Sequence, residues 1–169
     1  AGETRLEALA QFAGDSLEAA SVGSKAALLS PDRGLRASDV EQLVKEYLAE
    51  IANDRVLTLL AGLLAAAPSV PLASELVEGY LNVEFSLPLK DVQHGLTRLI
   101  GMGILSSHRR YVRMTSRVRD EMGSDVKADG VKFLDGMFRA ALDRQEARFR
   151  LDTLRALCAS VEEVLFAGA

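Results

Sequence analysis

The 169-residue chain is 49% hydrophobic but only 5% aromatic, has one cysteine and no tryptophan, and carries a formal net charge of −4. This length suits one domain with helical extensions, its core must be built from leucine, valine and alanine, and a single cysteine excludes an internal disulfide framework and fits a reducing compartment. The net acidity argues against bulk affinity for nucleic acid, and the most apolar run, Val56 to Ala67, is too short to span a bilayer, so a cytoplasmic chain with no membrane partner is expected.

From Glu3 to about Leu29 the pattern predicts one or two helices, with Leu6, Leu9 and Phe12 as the apolar stripe and Gly14-Asp15 as an interruption. Ser30 to Gly34, SPDRG, reads as a turn, because proline breaks the helix and glycine supplies a positive φ. Ser38 and Glu41 have capping-box spacing, and Val40, Leu43, Val44, Tyr47, Leu48 and Ile51 then recur at helical intervals. Asn53 or Asp54 caps the next helix, through Val56, Leu57, Leu60 and Leu64, and Pro68 ends it. Ser69 to Leu72 is short and extended. Ser74 and Glu75 open a helix with Leu76, Val77, Tyr80 and Leu81 inward, and Asn82 to Leu87 reads as a loop.

Pro88 suits the first turn of the following helix, which carries Leu89, Val92, Leu96 and Leu99 and ends at glycines. Ile104 to Ser107 and Tyr111 to Met114 read as the two strands of a hairpin. Thr115 or Ser116 caps a further helix that Gly123 and Ser124 break. A long helix or helix pair is expected from Val126 to Leu165. Its first stripe is Val131, Leu134, Phe138, Ala141 and Leu142; its second is Leu151, Leu154, Leu157, Cys158, Val161 and Leu165.

Charge is unevenly spread. Residues 1–87 carry a net −7, residues 88–119 a net +6, and residues 120–169 a net −3. A local field, not the net charge, steers a polyanion, and the positive field here belongs to one segment. That segment holds three glycines in the span from Val92 to Leu105, VQHGLTRLIGMGIL. Each interior glycine costs a helix roughly 1 kcal/mol relative to alanine, so each needs a reason. Gly103 is expected to be a left-handed helix stop. Gly95 would leave room for another backbone or a phosphate, and Gly101 has no evident role.

The order from Asn53 to Met114, together with Val92, Leu96, Leu99, Gly103, Ile104 and Leu105, resembles the winged helix-turn-helix superfamily, including MarR-like and PadR-like regulators. The resemblance covers about sixty residues. It implies a mainly α fold with a small β-hairpin wing, in which a winged helix-turn-helix (53–115) is flanked by N-terminal helices (1–52) for packing or dimerisation and C-terminal helices (116–169) for dimerisation. It also implies double-stranded DNA as the partner. Lys90, Gln93, His94 and Thr97 would lie on the outward side of the recognition helix, where polar side chains can reach base edges, and Arg98 of the same helix is a further DNA-binding candidate. Arg109, Arg110 and Arg113 would hold the phosphate backbone from the wing.

Two readings stand against each other. One is a DNA-binding regulator, a homodimer that sets two recognition helices about 34 Å apart. The other is a winged helix used as a protein-binding subunit, its arginines paired with the acidic N-terminal helices or solvated. Enzyme chemistry finds no footing. Two histidines and one cysteine give no zinc spacing, Val22 to Lys25 lacks the glycine spacing of a phosphate loop, and neither a cofactor nor a metal is expected. Cys158, among Leu154, Leu157 and Val161, reads as a small core or interface residue.

Overall fold

The computed structural model describes residues 4–29, 36–143 and 155. The apolar run at Val56 becomes the centre of the molecule. It forms α4 (Arg55–Ala65), whose Leu57, Leu59, Leu60, Leu63 and Leu64 are all buried. A helix that is apolar on every side must be wrapped by others, and α4 is. Asp54 starts it, its carboxylate accepting the Leu57 amide at 3.1 Å, a cap worth about 1 kcal/mol.

Three further helices cover α4. α6 (Leu89–Gly101), α8 (Ser124–Lys127) and α9 (Gly130–Asp143) all pack against it. α5 (Ser74–Glu84) packs on α6 and α9. Phe85, at the end of α5, stands edge-on to Tyr80 (6.0 Å) and to Phe133 of α9 (5.2 Å). Three of the chain's few aromatic residues thus meet where α9 docks. A three-stranded antiparallel sheet completes this part: β1 (Leu72–Ala73), β2 (Ser106–His108) and β3 (Tyr111–Arg113), in the order β1-β3-β2. Leu72 and Val112 pair across it and are both buried.

The N-terminal residues form α1 (Arg5–Ala13), α2 (Leu17–Leu28) and α3 (Ala37–Ala49), which pack on one another, with α2 also against α7 (Ser116–Asp120). Thr4 and Glu7 exchange the two bonds of a capping box, at 3.2 and 3.0 Å, and Ser16 caps α2 through the Ala19 amide at 3.1 Å. Buried Ala8, Phe12, Ala19, Val22, Ala26, Val40, Val44 and Leu48 belong to the same apolar cluster as α4. The chain is mainly helical with a small antiparallel sheet, and among the described residues no helix is long and apolar enough to cross a membrane.

Several expectations are corrected. Of the expected α1 stripe, Phe12 is buried and Leu9 packs partly buried against the core, but Leu6 is 76% exposed, and Ala8 and Ala13 are buried in its stead. Close helix packing here brings the two alanines inward beside Phe12, and Leu6 is left outside. α3 begins at Ala37 rather than through a Ser38–Glu41 box. Asp39 instead accepts the Arg36 amide at 2.9 Å. α5 runs on through Glu84, into what reads as a loop. Of the helix or helix pair expected from Val126 to Leu165, the described part forms α8 and α9, with a break between Lys127 and Gly130. In α9, Val131 is 73% exposed and Leu142 is also exposed, while Met137, Phe138 and Ala141 face inward. The SPDRG turn and the stripe from Leu151 to Leu165 lie outside the described residues.

Candidate nucleic-acid interface

α6 is strongly two-sided. Val92, Gly95, Leu96 and Leu99 are buried, and Lys90, Gln93, His94, Thr97 and Arg98 are exposed. The four residues expected on its outer face, Lys90, Gln93, His94 and Thr97, are therefore exposed, as is Arg98. They are not equally available. The Thr97 hydroxyl donates to the Gln93 carbonyl at 3.0 Å. Gln93 donates to Glu78 of α5 at 3.4 Å. Arg98 lies 3.5 Å from Asp54, the cap of α4. Lys90 and His94 have no partner among the described residues.

Of the three glycines, Gly103 has a demanding backbone, with φ +80°. Its amide donates to the Ile100 carbonyl and the Ile104 amide to the Leu99 carbonyl, both at 3.0 Å. These are the two bonds of a Schellman stop, which turns the chain from α6 toward β2. Gly95 does not face open space. A Cβ there would lie 2.8 Å from Leu60 Cδ1 and 2.9 Å from Val56 Cγ1, so this glycine brings α6 close to α4 and offers nothing to a phosphate. A Cβ on Gly101 would meet nothing within 4 Å.

The hairpin pairs Ser106 with Arg113, Ser107 with Val112 and His108 with Tyr111, leaving Arg109 and Arg110 as its two-residue tip. Two-residue hairpin loops need a positive φ, for which glycine and asparagine are the usual choices. Arg109 adopts φ +56° and is exposed. A non-glycine residue in this region is strained, and such strain concentrates at functional sites. Arg110 is half-buried, with its guanidinium 4.9 Å above the Tyr111 ring, and its carbonyl accepts the Ser74 amide at 2.8 Å.

The arginines that follow the hairpin tip are each paired with a carboxylate. Arg113 meets Glu18 of α2 at 3.2 Å. Arg117 pairs with Glu121 at 2.9 Å, donates to the Phe12 carbonyl at 3.0 Å and stacks 4.8 Å from the Phe12 ring. Arg119 pairs with Asp120 at 3.0 Å. The tight concentration of charge in residues 88–119 is thus partly neutralised within the fold. Of these three acids only Glu18 belongs to the acidic surplus of residues 1–87; Glu121 and Asp120 are sequence neighbours of the arginines they meet, whereas the Glu18 partner depends on tertiary packing.

Two shallow hollows flank the site. One, about 440 Å³, lies between α4 and α6, with Asp54, Asp91, His94 and Arg98 around Val56, Leu57 and Gly95. The other, about 510 Å³, lies on the sheet and is lined by Pro71, Ser106, His108, Tyr111 and Arg113 among others. Among the described residues no group of three or more histidine, cysteine, aspartate or glutamate side chains could hold a metal ion. No protein-family model, curated protein or solved structure matches this chain.

Proposed function

We propose that this chain is a winged-helix DNA-binding protein that acts as a dimeric transcriptional regulator. The observation that carries the proposal is α6: a helix with one buried face and an outer face of Lys90, Gln93, His94 and Thr97, leading through the Gly103 stop into a hairpin tipped by Arg109 and Arg110. The order α4, β1, α5, α6, β2, β3 with all three strands in one sheet supports the same reading. A major groove admits a helix of this kind, and amide, imidazole and hydroxyl groups can read base edges. Arg109 and Arg110 would meet phosphates or enter the minor groove beside it. The exposed Leu6, Leu17, Leu28 and Leu29 of the N-terminal hairpin favour a homodimer, which would place two such helices about one DNA turn apart.

A second reading, a winged helix that binds protein instead of DNA, is favoured by one observation. Arg98, Arg113, Arg117 and Arg119 each already hold a carboxylate, which lowers the field a polyanion would meet. Titration of a labelled duplex at low salt separates the two. DNA binding should weaken on a log–log plot with a slope of about −0.9 per phosphate contacted, and the Arg109→Ala, Arg110→Ala double variant should bind every sequence less well. A monomer that leaves the duplex unshifted at low salt would remove the DNA reading and leave the protein-binding one.

A further inference from the structure

We propose that Glu18 masks Arg113 in the free protein, so that the N-terminal helical hairpin withholds one phosphate contact from the DNA-binding surface. This rests on the DNA-binding reading above. The two residues are 95 positions apart in the sequence, yet Arg113 Nη2 donates to Glu18 Oε1 at 3.2 Å. The Glu18 side chain is only 22% exposed and that of Arg113 46%. The carboxylate is therefore held mostly against protein, while the arginine remains half in solvent, where a polyanion can reach it.

Glu18 is delivered rigidly. It lies in the first turn of α2, just after the Ser16 cap. One helical turn on, Ser21 and Val22 pack against the Gly103 turn, and a Cβ on Gly103 would lie only 2.7 Å from Ser21 Oγ. α1 is tied down by Arg117, through the Phe12 ring and carbonyl. Arg113 itself is on β3, on the same face of the hairpin as His108 and Tyr111, since directly opposed and alternate residues of a strand pair share a face. A carboxylate and a phosphate compete for the same guanidinium donors. The pair is partly exposed and so weak; it gates the contact without locking it, and any displacement of α2 would release it.

The competition predicts a specific pattern in duplex titrations across a salt series. Glu18→Gln should tighten binding by up to about five-fold, the range an exposed pair can account for, and steepen the salt slope by about 0.9, as one added phosphate contact does. Asp15→Asn removes the same charge from the same hairpin, at an exposed turn residue with no ion-pair partner among the described residues, and should leave the slope unchanged. In an Arg113→Ala background, Glu18→Gln should gain no more than Asp15→Asn does. Melting of each variant checks folding, and Glu18→Ala should repeat the slope change if Glu18→Gln proves unstable. If wild type binds but Glu18→Gln matches Asp15→Asn in slope and affinity, the masking is refuted and DNA binding stands. If neither wild type nor any variant binds duplex, both are refuted.

Discussion

Alanine at Gly103 and at Gly101, two residues apart, should change stability in opposite directions. At Gly103 the backbone sits at φ +80°, where a side chain costs about 1–2 kcal/mol, and the new Cβ would stand 2.7 Å from Ser21 Oγ and 3.4 Å from the Val22 amide nitrogen. The serine hydroxyl can swing aside, so the backbone cost dominates, and a net loss of about 1–2 kcal/mol is expected. Gly101 is the last residue of α6 and a Cβ there meets nothing within 4 Å. Alanine at that position restricts the unfolded chain without a clash and should add about 0.4–1 kcal/mol. Equilibrium urea unfolding, with m-values unchanged between the variants, measures both. For a chain of this size, each kcal/mol moves the melting temperature by about 2–4 °C. A Gly103→Ala protein as stable as wild type would refute the left-handed stop. A destabilised Gly101→Ala protein would show that something packs against that surface.

Other perturbations follow from the same contacts. Arg117→Ala should cost about 1–3 kcal/mol, since it strands the buried Glu121 carboxylate and removes the bond to the Phe12 carbonyl. Adding Glu121→Gln should recover part of that loss, and calorimetry that finds no recovery would show that the pair is not the cause. The Tyr47 hydroxyl donates to the Met102 carbonyl at 3.2 Å. Burial, and secondarily Glu50, raises its pKa; burial, then Glu84 and Asp135, raises that of Tyr80. In both cases the unfolded chain ionises first, so their contribution is intact below about pH 10 and is lost as pH rises through the folded values. Tyr47→Phe and Tyr80→Phe should flatten the alkaline limb of a stability–pH curve; an unchanged limb would contradict the shifts.

The central architecture was legible where local and tertiary demands agree. Val92, Leu96 and Leu99 predict a buried face of α6, and Gly103 its stop, because helical periodicity and a left-handed cap are both written in neighbouring residues. The hairpin was legible for the same reason. Gly95 was not: its role depends on Val56 and Leu60, some 35 to 39 positions earlier, and no local pattern distinguishes room for a phosphate from room for a helix. In α1, tight packing favours Ala8 over Leu6, against the rule that larger apolar residues turn inward. For the basic segment, sequence located every arginine and the acidic surplus, but only the fold pairs Arg113 with Glu18 and Arg98 with Asp54.

The most direct test of the account is the salt dependence of duplex binding by the wild-type chain, with its mass in solution measured on the same sample. The account predicts a dimer that shifts duplex DNA at low salt. Its log affinity should fall linearly with log salt at several times −0.9, with a shallower slope when Arg109 and Arg110 are both alanine. A chain that fails to bind at low salt, or whose affinity does not respond to salt or to loss of those arginines, would contradict it.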